Sequence, residues 1–352
     1  MNTVDLLAEI LKREGVEYLS CFPTTPVIES AAAAGIRPII CRQERVGVGI
    51  ADGYSRVHNG SKVGVFAMQS GPGAENAYAG VATAYSDSTP ILLLPTGHPR
   101  ERQGVLPHFN SVTNFAGVTK YIEQINTAGR TTDVMRRAFA GIYQGRPGPV
   151  MVEIPSDVAL EEVPEEAIHW GKNFPNLGSA GNPKDVESAA HALVTARYPV
   201  IHAGQGVLYA DASDELVELA ELLSIPVMTT LLGKSAFPET HPLALGSGSG
   251  VMSGTLYHFM QRSDVIFGIG CSFTKHGMSM NIPDGKTMIH ASNDHRDINK
   301  DYNIGYPIVG DAKLILRQMI DACQDLVGNG KRGDQSLEQE IVKERDAWLN
   351  EW

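Results

Sequence analysis

Short apolar runs alternate with helix-period segments along most of this chain, a pattern that builds strands buried on both faces between crossover helices. Residues 16–22, 38–42, 63–69, 91–95 and 150–154 are β-branched and apolar enough to be strands of a parallel sheet. Between them the period changes. Val4, Leu7, Ala8 and Leu11 recur at i, i+3, i+4 and i+7, and Gly15 stands where a helix C-terminal cap belongs. The first half is therefore predicted to be α/β, with helices packed on a doubly wound, mainly parallel sheet.

The alternation fails over 161–184, where EEVPEEAIHWGKNFPNLGSAGNPK is rich in Pro, Gly, Asn and acidic residues, as interdomain linkers are. Beyond it, 200–203, 226–230, 265–269 and 287–291 read as strands interleaved with helices such as 212–223, which predicts a second doubly wound sheet. Asp311 reads as the N-cap of a last helix carrying Ala312, Ile315, Leu316, Met319, Ile320 and Cys323 along one stripe. A chain of 352 residues suits two such domains.

Charge and cysteine usage narrow the partners. Lys and Arg total 29 against 40 Asp and Glu, a net charge of -11, and no basic run could neutralise a row of phosphates, so nucleic acid is not an expected partner. Asp5, Glu9 and Glu14 make the opening stretch an amphipathic helix rather than a signal peptide, and no apolar run reaches membrane length. A soluble, cytoplasmic protein is expected. Cys21, Cys41, Cys271 and Cys323 form no CxxC pair and sit in apolar stretches, so reduced, buried thiols are expected, with no disulfide framework and no metal site in this chain.

Chemistry concentrates in RQERVGVGIADGYSRVHNG, where a strand ending near Arg42 turns into a helix beginning around Glu44. Ligands of open α/β sheets bind at the carboxyl ends of strands, and a helix N-terminus favours a carboxylate, so Glu44 is placed for function. The competing reading is a glutamate that caps its own helix. Gly47, Gly49, Ala51 and Gly53 allow close approach of a neighbour, either a partner chain or the sheet. A second turn, Ser70-Gly71-Pro72-Gly73, precedes another helix. It leaves free N–H groups suited to an anion, but it lacks the Lys-Ser/Thr of a P-loop, and such a sequence is more often a plain tight turn.

Together these stretches resemble the thiamine diphosphate enzymes of the acetolactate synthase and 2-oxoacid decarboxylase family. The FPTTP loop at 22–26, RQERVGVGIADGYSR, SGPGAENAYAGVATAYSDSTP and GRPGPVMVEIPSDV are similar to that family's pyrimidine-binding domain. RYPVIHAGQGV, LLSIPVMTTLLGKSAFPETHPLALG, RSDVIFGIG and PIVGDAKLIL are similar to its central domain. The resemblance implies a pyrimidine-binding domain at 1–165, a linker at 166–183, a Rossmann-like central domain at 184–327, and a polar tail at 328–352 leading toward a diphosphate-binding domain. It implies that Glu44 hydrogen-bonds the cofactor's pyrimidine nitrogen and so promotes loss of the thiazolium proton, with carbon–carbon cleavage or ligation following. It further implies that Pro23, Thr24, Thr25, Ser70, Gly71, Pro72, Gly73 and Asn76 line the pyrimidine side. Phe109 and Asn110 fall in the substrate loop, flanked by His98 and His108 as candidate proton shuttles.

Two departures from the family leave the substrate open. Phe109-Asn110 replaces a Phe-Gln pair, and GSGSGVMSG stands where acetolactate synthases carry Gly-Met-His-Gly, so decarboxylation, carboligation and acyl-CoA cleavage of a 2-oxo acid or acyl substrate all stay possible. The family's Gly-Asp-Gly and Asn-Asn motifs for diphosphate and Mg2+ do not occur here. Either a separate diphosphate-binding subunit completes a heteromer built on a homodimer of this chain, or the chain is a piece of a longer enzyme. A regulatory homologue that lost the cofactor is a further reading, against which the retained Glu44 argues. The glycines at 204–206 and 246–254 permit FAD in the central domain, though such clusters more often make turns.

Overall fold

The computed structural model describes residues 1–23, 25–169, 177–328 and 335–351, and divides the chain into two compact units, Met1–Leu177 and Gly178–Trp352. Thr24 and parts of the expected linker and tail lie outside the described residues.

The first unit holds β1 (Tyr18–Cys21), β2 (Arg37–Ile40), β3 (Gly64–Met68), β4 (Ile91–Gly97), β5 (Tyr121–Gln124) and β6 (Val150–Pro155) in the order β2-β1-β3-β4-β6-β5, every pairing parallel. Its helices are α1 (Thr3–Arg13), α2 (Val27–Ala33), α3 (Glu44–Val57), α4 (Pro72–Ser86), α5 (Ser111–Phe115) and α6 (Thr131–Tyr143). Alternate residues of β3 feed two cores. Val65 and Ala67 pack with α1, α2 and α6, while Phe66 and Met68 pack with α3 and α4. The sheet is thus buried on both faces, which is why its central strands read as unbroken apolar runs. Asn2 caps α1 by accepting from Asp5 N, and Gly15 follows that helix at φ +79°, as its sequence foretold.

The second unit holds β7 (Pro199–Ala203), β8 (Val227–Thr230), β9 (Ala244–Gly248), β10 (Val265–Ile269), β11 (Thr287–Ser292) and β12 (Tyr306–Val309), again wholly parallel, in the order β12-β11-β10-β7-β8-β9. Helices α7 (Pro183–Thr195), α8 (Gln205–Tyr209), α9 (Ser213–Leu223), α10 (Gly254–Arg262) and α11 (Ala312–Val327) surround it. Asp311 caps α11 through Lys313 N and Leu314 N. The expected polar tail at 328–352 contains a further helix. Residues Gln335–Leu349 form α12, whose Ile341 is fully buried and whose Trp348 lies against Gly254 of α10. Glu340 pairs with Arg262, so a helix polar on most of its surface still docks by one stripe. All four cysteines are free and buried, and no described helix is long and apolar enough to cross a membrane.

Candidate active site

In the first sheet the chain leaves β1 toward the β2 edge but leaves β3 toward β4. The loops 22–26 and 69–71 therefore flank the point where strand order reverses, the ligand-binding position of open α/β sheets.

Glu44 is the first residue of α3, 5% exposed, and its Oε2 accepts a hydrogen bond from Asn76 Nδ2 of α4 at 2.9 Å. Gln43 is the N-cap and contributes no side-chain cap bond. The carboxylate therefore joins two helices instead of closing its own. Gly73, in the first turn of α4, has no room for a side chain. A Cβ there would stand 2.8 Å from Glu44 Oε1 and 2.7 Å from Gln69 Cβ. The turn into α4 is made by Gly71 at φ +60° with Pro72 at the first helical position, and Ser70 is half-buried before it. The start of α3 is held down as well. Ser20 Oγ lies 2.8 Å from Gly47 O, and a Cβ on Gly47 would stand 2.2 Å from the Phe66 ring. The neighbour that Gly47 admits is the sheet, whereas Gly49 and Gly53 have nothing within 4 Å of a built Cβ.

In the 22–26 loop Pro23 is exposed, and Thr25 is buried with an Oγ1 that has no hydrogen-bond partner among the described residues. The 98–110 loop is anchored by Arg100, which donates to Asp157 Oδ2 at 2.7 Å and also bonds Glu161 and Asn126 O. His98 and His108 meet with ring centroids 4.2 Å apart, and His98 Nε2 is buried without a partner among the described residues. Desolvation, then the neighbouring His98 and Arg102, holds His108 below the ordinary imidazole range. The other two residues of this loop are engaged elsewhere. Phe109 packs edge-on against Phe115, and Asn110 caps α5 by accepting from Thr113 N at 2.8 Å.

Sequence reasoning passed over Glu153, a 6% exposed carboxylate in β6 whose Oε1 accepts from Gln124 Nε2. One charge inside the run VMVEIP was the signal that could have found it. In the second unit, a Cβ on Gly204 would stand 2.3 Å from Gly270 O, and one on Gly206 2.7 Å from Gly270 Cα. Those glycines serve a close crossing of the loops after β7 and β10. Among the described residues no group of three or more His, Cys, Asp or Glu could hold a metal ion.

The first unit's residues fit a flat, nitrogen-bearing ring. They offer an acceptor carboxylate fixed by one amide, a buried hydroxyl lacking a partner, and a glycine backbone facing the carboxylate.

Comparison with known proteins bears on the family. Residues 1–128 match the family described as thiamine pyrophosphate enzyme, N-terminal TPP binding domain, and residues 186–319 match thiamine pyrophosphate enzyme, central domain. The chain is 34% identical over 354 residues to the "Probable acetolactate synthase large subunit" of Methanococcus aeolicus, covering 96% of this chain and 58% of the relative. It is 34% identical over 363 residues to the protein of the same description from Methanocaldococcus jannaschii, covering 99% and 58%. It is 30% identical over 342 residues to "Glyoxylate carboligase" of Escherichia coli O157:H7, covering 94% and 57%. The chain thus spans about 58% of the length of these relatives.

Proposed function

The chain belongs to the thiamine pyrophosphate enzyme family, of which it carries the N-terminal and central domains, and from that premise we propose that it supplies the pyrimidine-activating half of an acetolactate synthase-type carboligase with Glu44 as the activating residue. The observation that carries this reading is the buried Glu44 carboxylate at a helix start, tied by Asn76 across to α4. Thiamine diphosphate, when bound, supplies the electron sink for making or breaking a bond beside the carbonyl of a 2-oxo acid or related acyl substrate.

Glu44 would hold a proton on the pyrimidine ring nitrogen, and Asn76 would fix the carboxylate's rotamer for that task. Thr25 Oγ1, buried and unpartnered, would take a second polar group of the same ring. Pro23, Thr24 and Ser70 to Gly73 would flank it. His98 Nε2 would exchange a proton with substrate, with the His108 ring tilted against that of His98. Phe109 would give that loop an apolar wall. The diphosphate and Mg2+ ligands would come from outside these 352 residues, in our reading from a separate subunit that joins a homodimer of this chain. The "large subunit" in the relatives' descriptions supports a heteromer, and "carboligase" supports ligation over simple decarboxylation.

The test uses this chain assembled with a diphosphate-binding half and follows exchange of the thiazolium proton for deuterium, which needs no substrate. Glu44→Gln should slow exchange by roughly 100- to 10,000-fold, the range for losing a positioned acid–base group. An unchanged rate would leave Glu44 a purely structural link between helices. Calorimetry on the chain alone should show no micromolar affinity for thiamine diphosphate and Mg2+, that is, no binding free energy near 8 kcal/mol. Such affinity would overturn the separate-subunit reading.

A further inference from the structure

Glu153 is a carboxylate in a strand whose every residue is buried. Withdrawing a carboxylate from water is costly unless new bonds replace its hydration. Packing alone therefore does not account for it. Its fit at the strand end is close: a Cβ on Gly97, the last residue of β4, would stand 3.0 Å from Glu153 Cγ and Cδ.

A carboxylate only accepts hydrogen bonds, so the amide facing it must present its nitrogen. Gln124 Nε2 accordingly donates to Glu153 Oε1. That turns Gln124 Oε1 outward, where it accepts from Gln103 Nε2 at 2.7 Å. Taken singly, each amide could be placed either way round. Anchored on an acceptor-only group, the whole chain has one polarity. Gln103 is left with one N–H and its carbonyl oxygen, both unpartnered among the described residues. It stands in the 98–110 loop, three residues from the Arg100 anchor and five from His98 and His108 alike.

We infer that Glu153 is a positioning residue which, through Gln124, orients the Gln103 carboxamide so that its remaining N–H meets the carboxylate or carbonyl oxygen of a 2-oxo acid. The inference rests on reading this loop as the substrate side of the proposed site. Gln at 153 would either donate or accept, so Glu153→Gln admits the reversed relay and halves the occupancy of the productive one at best. Asp at 153 keeps the one-way polarity.

Two measurements decide it. In 1H–15N spectra of the full chain without cofactor, the side-chain amide pairs of Gln103 and Gln124 are identified by their loss in Gln103→Ala and Gln124→Ala. Both pairs should move in Glu153→Gln. In the assembled enzyme, with pyruvate and glyoxylate as probes, Gln103→Ala should raise KM about five- to tenfold, as loss of one hydrogen bond does, and Glu153→Gln should raise it at least about twofold, as halving the productive population does. Glu153→Asp should recover part of it, and kcat and thiazolium exchange should stay near wild type. A Gln103 pair unmoved by Glu153→Gln overturns the relay, and an unchanged KM in Gln103→Ala, or a wild-type complex that takes neither probe, overturns the substrate contact. Failure of the Glu44 reading would show in thiazolium exchange instead, leaving the spectra of the uncomplexed chain to decide the relay.

Discussion

Asn76 donates its side-chain amide to the Glu44 carboxylate at 2.9 Å, a bond between residues 32 apart in sequence that joins the first residue of α3 to the fifth of α4. Because Glu44 is 5% exposed, removing the donor strands a polar group. Asn76→Ala should lower stability by about 1–3 kcal/mol, the cost of leaving a buried partner unsatisfied. It should also slow thiazolium proton exchange in the assembled enzyme. If Asn76 acts only by orienting Glu44, the double variant with Glu44→Gln should be no slower than Glu44→Gln alone. Additive losses in that cycle would show that Asn76 has a separate role.

Gly73 and Gly49 offer a paired comparison of the two helices. Gly73→Ala drives a Cβ to 2.8 Å from Glu44 Oε1 and 2.7 Å from Gln69 Cβ, so either the carboxylate or the loop must shift. Overpacking of this kind costs about 1–3 kcal/mol. Gly49 sits inside α3 with nothing within 4 Å, so Gly49→Ala should stabilise by about 0.5–1 kcal/mol through helix propensity. Urea unfolding of both variants checks the sign of each change. Equal effects would mean that α4 does not press on Glu44.

Legibility in the sequence tracks burial. The central strands, such as β3 and β10, are buried at every residue and stand out as apolar runs. The strands overlooked were β5, β9 and β12, all sheet edges. At an edge one side of the strand meets solvent or loop, so YIEQ and YPIV mix polar and apolar residues and ALGSG carries two glycines, erasing the pattern. The placement of Glu44 was readable because strand, turn and helix are consecutive in the chain. Its bond to Asn76 was not, since nothing local specifies which face of α4 meets α3. The cap formed by Asn110 was also missed, although Asn followed by a short helix is a capping signal in its own right.

In the second unit His202, Gly268 and His290 lie side by side in register on β7, β10 and β11. The Phe273 ring is seated over Gly268, where a Cβ would stand 2.2 Å from it, with centroids 5.5 Å from His202 and 4.7 Å from His290. His290 Nε2 lies 2.9 Å from Cys271 O, so it carries the proton of a neutral ring, and the Nδ1 atoms of both histidines are buried without partners among the described residues. Burial, then the charge His290 would carry, pushes the His202 pKa down to about 4. Burial also lowers that of His290, against the opposing pull of the Cys271 bond and Asp297. In the unfolded chain both titrate near 6.5. Between about 4 and 6.5 the unfolded state therefore binds more protons, so stability is complete above about 6.5 and is lost as pH falls through that window. His202 alone accounts for about 3 kcal/mol of that loss. Carboxylates also weaken the fold in acid, so the telling quantity is the difference between wild type and a variant that cannot titrate. His202→Asn should be less stable than wild type at pH 7.5 and should lose much less on going to pH 4.5, as followed by urea unfolding. Parallel pH profiles for the two proteins would mean that His202 gains its proton without leaving the fold, and that the ring cluster over Gly268 does not require neutral imidazoles.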